Sequence, residues 1–312
     1  MIHSPIKLRH LVAFQEVARL GRIKSAAEAL SITQPGISKT LRELEESLGV
    51  KLFERLPRGV RLTPAGRTLL RHAAPALRSL REGIDAIRQD TVETVVRLGA
   101  LSNVEGGLLP EVLYRLHARQ PDLRMEVDTG TSAALLARLR LGELDLVLGR
   151  MSEAEEIRDL QFQHLYYEPL IAVVRRDHPL LTSSHAPDTP ALMAYPWVVP
   201  PRGTTLREQL ERFWVEQAAE PPRLAVETLS LPLSTRYALM SDAVWITPQD
   251  TAREAIAAGT LVRLAQPIEA RGGSVGYAVN TSQPTPRAVE DFCDCLRDVA
   301  AAYPVSYKLN NL

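Results

Sequence analysis

Apolar residues recur three and four apart over Leu8, Leu11, Val12, Phe14, Val17 and Ala18, and the run stops at Gly21. This spacing predicts a short amphipathic helix closed by a glycine in the left-handed conformation. The alanine-rich stretch Ser25 to Leu30 predicts a second helix. A third begins at Thr33, a natural N-cap, with Pro35 in the first turn where its missing N–H costs little; Ile37, Leu41, Leu44 and Leu48 form its apolar stripe. Lys51–Arg55 and Val60–Leu62 read as two short strands around Leu56-Pro57-Arg58-Gly59. Two helices joined by a tight turn, followed by a basic wing, form the pattern of a winged helix-turn-helix.

Thr63-Pro64 repeats the cap-and-proline signal and opens a long helix. Along it Leu70, Ala73, Leu77, Leu80, Ile84 and Ile87 alternate in steps of three and four, the seam of a coiled-coil partner; the alternative is a helix lying on its own domain. Pro75 falls inside this helix and should bend it. From Val95 the pattern changes. Strands are expected at Val95–Leu101, Leu123–Thr129, Leu144–Gly149, Leu170–Val174, Trp197–Val199, Ala225–Leu229, Val244–Thr247 and Val275–Val279, with helices near Leu108–Arg119 and Ala133–Leu141. Such alternation argues for an α/β domain of parallel sheets covered by helices, long enough to divide into two lobes with a cleft between them.

The 312 residues carry no net charge, but residues 1–90 hold sixteen Lys and Arg against nine Asp and Glu, and the rest holds twenty-one against twenty-eight. A basic head on an acidic body suits a protein that presents one end to nucleic acid. The N-terminus has no basic segment followed by a long apolar one, and no stretch approaches eighteen apolar residues, so a cytoplasmic protein without a membrane partner is expected. Cys293 and Cys295 have neither zinc-pair nor redox spacing and read as incidental packing or exposed thiols. There is no G-x-S-x-G, P-loop, H-E-x-x-H or strand-linked G-x-G-x-x-G, and the seven histidines are scattered. An enzyme is therefore disfavoured, and no cofactor or metal is implied. A pure solute-binding protein would lack the basic head, and a purely architectural DNA binder would not need the α/β domain.

The run Ala26-Ala27-Glu28-Ala29-Leu30, Thr33-Gln34-Pro35, Ser38, Leu41-Arg42-Glu43-Leu44-Glu45, Leu48-Gly49, Leu52-Phe53-Glu54-Arg55 and Leu62-Thr63-Pro64-Ala65-Gly66 closely resembles the DNA-binding domain of LysR-type transcriptional regulators. The likeness continues in Leu98-Gly99, Leu108-Leu109-Pro110, Gly142-Glu143-Leu144-Asp145-Leu146 and Asp177-His178-Pro179-Leu180, and so covers nearly the whole chain. Val96 to Leu101, Leu146 to Arg150 and Pro200 to Arg207 look closest to a branch with regulators of protocatechuate catabolism and of sugar-binding or aromatic-sulfonate operons. The resemblance implies a winged helix-turn-helix over 1–63, a linker and dimerisation helix over 64–92, a periplasmic-binding-protein-like effector domain over 93–302 with mixed, mainly parallel sheets, and a tail over 303–312. Lobe I would comprise 93–164 and 270–302, and lobe II 165–269. It also implies dimers and tetramers, promoter DNA and RNA polymerase as partners, and a small-molecule effector.

Within that frame Gln34, Ser38, Lys39 and Arg42 are expected in the major groove, with Thr33, Pro35 and Thr40 at the helix start or near phosphates. Glutamine matches adenine edges, and lysine or arginine matches guanine edges or the backbone. Arg55, Arg58 and Arg61 would meet phosphates and the minor groove, although Arg55 also has Glu54 and the linker helix as potential ion-pair partners. Effector contacts are expected where strands end and helices begin, at Ser102, Asn103, Thr131, Gly203, Thr204 and Thr205. Ser132 and Thr204 have helix capping as an alternative, and the convergence of these residues favours a site. Arg150, Arg202 and Arg207 offer partners for a carboxylate, which points to an anionic organic effector.

Overall fold

The computed structural model describes residues 6–88, 94–151, 157, 160–182, 186–217, 220–265, 273–280 and 285–302. The expected boundaries at 92/93 and 270, and the tail 303–312, lie outside the described residues.

Three helices, α1 (Leu8–Leu20), α2 (Ile23–Ala29) and α3 (Gln34–Leu48), build the head. Gly21 closes α1 at φ 63°, and Gly49 closes α3 at φ 68°. At the other end of α3 the Thr33 hydroxyl accepts the Gly36 N–H at 3.2 Å, the cap that the sequence announces. Phe14, Val17, Ala26, Ala27, Ile37, Leu41, Leu44 and Leu52 form the core. Leu48, expected in the stripe, is exposed because the last turn of α3 runs past that core.

Strands β1 (Phe53–Leu56) and β2 (Gly59–Leu62) pair antiparallel as the wing. Its base is fixed by Glu45, whose carboxylate accepts the Leu52 N–H at 2.9 Å and the Lys51 ammonium at 2.7 Å. Its tip is fixed by the Val60 N–H, which donates to Gly21 O at 2.8 Å. Gly59 adopts φ 137° there, and a Cβ would fall 2.4 Å from that same oxygen.

Helix α4 (Pro64–Arg88) runs unbroken through Pro75. Its expected dimer seam is divided. Leu70, Ala73 and Leu77 are buried within the chain itself, Leu70 in the head core, whereas Leu80, Ile84 and Ile87 are 52%, 49% and 88% exposed. The first three are therefore not available to a partner as the heptad pattern suggested; this half of the helix packs on α1 and β2 of the head and on the helix Ser132–Arg140.

Two mixed five-stranded sheets follow. The first has the order β4 (Leu123–Thr129), β3 (Thr94–Ala100), β5 (Leu146–Arg150), β12 (Gly273–Val279), β6 (Gln161–Glu168). β3 is parallel to β4 and β5, and β12 is antiparallel to β5 and β6. Helices α6 (Leu108–Arg119) and α12 (Arg287–Ala301) cover one face, packing Leu108, Val112, Leu116, Phe292, Leu296 and both cysteines against Val96, Leu98, Leu146 and Tyr277. α7 (Ser132–Arg140) covers the other with Leu135, Leu136 and Leu139. Neither thiol is exposed, and burial pushes Cys293 up to about 11.

The second sheet has the order β11 (Leu261–Leu264), β7 (Leu170–Arg175), β10 (Val244–Pro248), β8 (Trp197–Val199), β9 (Leu224–Glu227). Helices α8 (Thr189–Met193) and α9 (Thr205–Glu216) pack on one face through Leu192, Leu210, Phe213 and Trp214. α10 (Leu231–Met240) and α11 (Gln249–Ala257) pack on the other through Ala238 and Ala252. Each lobe is thus a three-layer sandwich in which parallel ladders make half of the pairings rather than the greater part. The antiparallel half comes partly from β6 and β11, edge strands the periodicity did not reveal: the apolar positions of β6 are few and mostly half-buried, and β11 is only four residues long. β6 carries the first sheet past 164 to Glu168, and the chain crosses to the second sheet at Pro169.

Gly66 lies where α4 passes under the wing, and a Cβ there would sit 2.2 Å from Leu52 O, which already accepts the Thr63 N–H. Gly66→Ala is expected to destabilise the protein by about 1–3 kcal/mol, read as a lower urea midpoint at unchanged slope. Gly83, in the same helix with open space around it, is expected to gain about 0.5–1 kcal/mol on substitution by alanine.

Candidate functional site

Helix α3 and the wing enclose an open concavity of about 520 Å³ lined by Arg22, Lys24, Gln34, Ser38, Arg55 and Arg58. The sequence-predicted residues Gln34, Ser38, Arg55 and Arg58 are thus brought to one surface. Arg42, Arg55 and Arg58 are exposed and have no ion-pair partner among the described residues. Arg61 is different: its guanidinium donates to Glu54 at 2.8 Å, so the Glu54 pairing considered for Arg55 belongs to Arg61 instead. Lys39 is exposed, with Glu43 3.9 Å away. Thr33 is occupied as a cap, Pro35 lies exposed in the first turn, and the Thr40 hydroxyl donates back to Gly36 O. Unpaired guanidiniums around the start of an exposed helix can meet phosphates and base edges together.

The second constellation lies where the lobes meet. Arg150, at the end of β5, and Glu168, at the end of β6, are 2% and 0% exposed. The Arg150 guanidinium donates to Glu168 O at 2.6 Å, approaches its carboxylate at 3.8 Å, and reaches across to Gln209 Oε1 on α9 at 3.2 Å. Asn103, just after β3 in the short helix α5 (Ser102–Glu105), joins both: its amide donates to Glu168 at 3.0 Å and its oxygen accepts the Arg150 N–H at 3.3 Å. From the second lobe the Asp250 N–H, at the start of α11, donates to Glu168 at 3.2 Å. Tyr166 donates to Asp250 at 3.2 Å, and Arg253 pairs with the same carboxylate. Gly273 makes room for the guanidinium, since a Cβ there would lie 2.7 Å from Arg150 Cδ. Arg150 Nε is buried without a hydrogen-bond partner among the described residues. Burial pushes the Glu168 carboxyl up to about 7 against the pull of Arg150, and the neighbouring Asp250 charge adds to the rise.

Of the other expected effector residues, Thr131 caps α7 by accepting the Ala134 N–H at 3.4 Å, and Thr204 caps α9 by accepting the Arg207 N–H at 3.3 Å. The cap of α7 is Thr131, not the neighbouring Ser132, which is buried. Ser102 opens α5 and is half-buried. Arg202 and Gly203 are exposed just before α9, Gly203 at φ 77° with open space around it, and Thr205 is half-buried in its first turn. Arg207 points elsewhere. It is buried in the second lobe, bonded to Glu211 at 2.9 Å and Glu227 at 2.7 Å over the Trp214 ring, and so braces α9 against β9. Arg150 and Arg207 are therefore committed to protein acceptors, contrary to their expected role as carboxylate partners. Glu168, Gln209 and Asp250 were missed. The signal for Glu168 was present, a single acid interrupting the run Leu165-Tyr166-Tyr167-Glu168-Pro169-Leu170-Ile171; Gln209 and Asp250 had none.

A winged helix-turn-helix joined by a long helix to a two-lobed α/β domain defines a DNA-binding regulator with a ligand-sensing half. The comparisons with known proteins agree. Residues 8–67 match the bacterial regulatory helix-turn-helix protein family of lysR type, and residues 89–301 match the LysR substrate binding domain. The chain is 35% identical over 288 residues to the HTH-type transcriptional regulator PcaQ of Agrobacterium fabrum, covering 91% of this chain and 92% of that one. It is 32% identical over 247 residues to the regulator GbpR of Azospirillum brasilense, covering 78% and 72%. A full-length OxyR variant from Pseudomonas aeruginosa superposes with a TM-score of 0.62 at 25% identity, covering 99% of this chain and all of the other. The chain belongs to the LysR family. It is a LysR-type DNA-binding transcriptional regulator with an effector-binding domain, in the branch that its sequence resembles.

The raised Glu168 carboxyl has a definite thermodynamic sign. The folded state holds this proton more tightly than the unfolded chain, so the contribution of this group to stability is complete below the ordinary glutamate range and is lost as pH rises toward about 7. Denaturant unfolding at a series of pH values is expected to show this decline between roughly pH 4.5 and 7, and Glu168→Gln is expected to flatten it.

Proposed function

We propose that this regulator acts in the cytoplasm as a dimer or tetramer on promoter DNA, communicates with RNA polymerase, and is controlled by a small organic anion, an aromatic or other carboxylate of a catabolic pathway. Gln34, Ser38, Lys39 and Arg42 read the major groove from α3; Arg55, Arg58 and Arg61 meet the backbone and minor groove from the wing. The observation supporting this assignment is the shared concavity between α3 and the wing, with unpaired Arg55 and Arg58 beside Gln34 and Ser38. The exposed Leu80, Ile84 and Ile87 on α4 support association through the outer half of the linker.

The anionic effector rests on Arg202. Among the three arginines considered it is the one without a partner among the described residues, and it stands before the N-terminus of α9 beside Gly203, Thr204 and Thr205. α9 also carries Gln209, bonded to Arg150, so an anion drawn to its first turn acts on an element already tied to the other lobe. Ligand binding that differs between lobe arrangements shifts their populations, and with them the placement of the heads.

For DNA, sequences selected in vitro from a random pool serve as probes. Gln34→Ala is expected to cost about 1–3 kcal/mol at one base position, whereas Arg58→Ala weakens all sequences alike and lowers the salt dependence. An unchanged sequence preference in Gln34→Ala rejects the groove assignment. For the effector, a thermal-shift screen of organic acids, sugars and aryl sulfonates is expected to give a saturable rise with a carboxylate, about 2.7 kcal/mol at a hundredfold excess over Kd, that Arg202→Ala abolishes. A response to sugars or sulfonates alone favours those effectors, and a carboxylate response that survives Arg202→Ala rejects the proposed contact.

A further inference from the structure

α3 presents two rows of polar side chains, and the concavity beside the wing takes up only one of them. Gln34 and Ser38, four residues apart, line it together with Arg55 and Arg58. Lys39 and Glu43, also four apart, form the neighbouring row, turned roughly 100° about the helix axis from Ser38. Beside this second row stands the start of α1, where Lys7, Leu8 and Arg9 are exposed and His10 is buried. One carboxylate joins the two helices. His10 Nδ1 accepts the Lys7 N–H at 3.2 Å, which leaves the ring proton on Nε2, and Nε2 donates to Glu43 Oε2 at 3.3 Å. Arg9 reaches the same oxygen at 3.4 Å, and Lys39 reaches the other at 3.9 Å.

The three partners of Glu43 are unequal. His10 is 2% exposed and bonded at both ring nitrogens, so it fixes where the carboxylate stands. Arg9 and Lys39 are 62% and 77% exposed, and water screens their pairing. Burial works against the Glu43 charge, but the His10 bond and the Arg9 and Lys39 charges outweigh it and hold the carboxyl below the ordinary glutamate range. Two cations on one carboxylate leave a positive charge over, on the same surface as the recognition helix. A phosphate oxygen can take the place of Glu43 on Arg9 at little cost, while His10 keeps Glu43 where it is. We propose that Arg9 is a DNA-backbone contact: the first turn of α1 is a second basic edge of the head, on a flank of α3 outside the concavity, where Arg9 exchanges Glu43 for a phosphate oxygen. The inference rests on the placement of α3 in the major groove. The duplex is then held from the wing by Arg55 and Arg58 and from α1 by Arg9, with the groove-reading residues of α3 between them.

The test follows binding of the full-length protein to an in-vitro-selected duplex and to a scrambled one by fluorescence anisotropy at a series of salt concentrations, with Gln34→Ala run alongside. Arg9→Ala is expected to weaken both duplexes by the same factor and to reduce the slope of log K against log salt by about 0.9 for each head bound. Arg9→Lys, which keeps the charge, is expected to retain the slope. The urea midpoint is expected to stay unchanged in both variants, because the side chain stands in water. Removing Arg9 also uncovers Glu43, so the deciding comparison is made in Glu43→Gln, whose amide oxygen still accepts from His10. In that background Arg9→Ala is expected to lower the slope by the same amount, about 0.9. No change of slope there overturns the proposal, because Arg9 then only screens the carboxylate. That result beside an altered base preference in Gln34→Ala strikes the α1 contact alone; beside an unaltered preference it strikes the groove assignment as well. A loss that differs between the two duplexes also overturns the proposal, since a backbone contact carries no sequence information.

Discussion

Taking two opposite charges out of water is costly unless each finds further polar partners, and the pairing of Arg150 with Glu168 is the place where this chain meets that requirement. The partners come from both lobes: Asn103 from the first, Gln209 and the Asp250 backbone from the second. Satisfying the pair therefore demands that the lobes meet in one register. An all-apolar contact would tolerate sliding, whereas this one specifies which strand ends face which helix starts. The ends of β3, β5 and β6 and the first turn of α11 are all placed by it, and Gly273 is small because the guanidinium needs its space.

Much of the head was legible in the sequence because local rules settle it. Thr33, Gly21 and Gly49 act through caps only a few residues long, and the stripe Ile37, Leu41, Leu44 follows from one helical period. The central strands of both sheets were legible as short apolar runs, such as Leu170–Val174 and Val244–Thr247. β6 was not, since few of its positions are buried, and β11 was not, since four residues carry too little pattern. The seam on α4 misled for the opposite reason. Its periodicity is real, but periodicity states that a face is buried and not what buries it; α4 packs against α1, β2 and α7, and Leu70, Ala73 and Leu77 are buried within the chain.

The candidate site shows the same limit. Arginines in loops suggested anion binding, but only tertiary structure decides whether a guanidinium is already occupied, and Arg150 and Arg207 are. Asn103 and Arg150 were picked as neighbours of a cleft and do come together, although what they hold between them is Glu168, some 65 positions from Asn103 along the chain. Capping and ligand contact also draw on the same small polar residues, so Thr131 and Thr204 fill their first role visibly while their second depends on a ligand.

The strand order of the first sheet bears on how the protein emerges during synthesis. β12 lies between β5 and β6 but is made about a hundred residues after them, when the whole second sheet has already been translated. Until then the β5 and β6 edges have no partner, whereas the second lobe is contiguous from Leu170 to Leu264 and can close as soon as it is made. The lobe that begins first in the chain thus finishes last, and a nascent chain halted before residue 273 holds a complete second lobe beside an open half-sheet, the species a chaperone would meet.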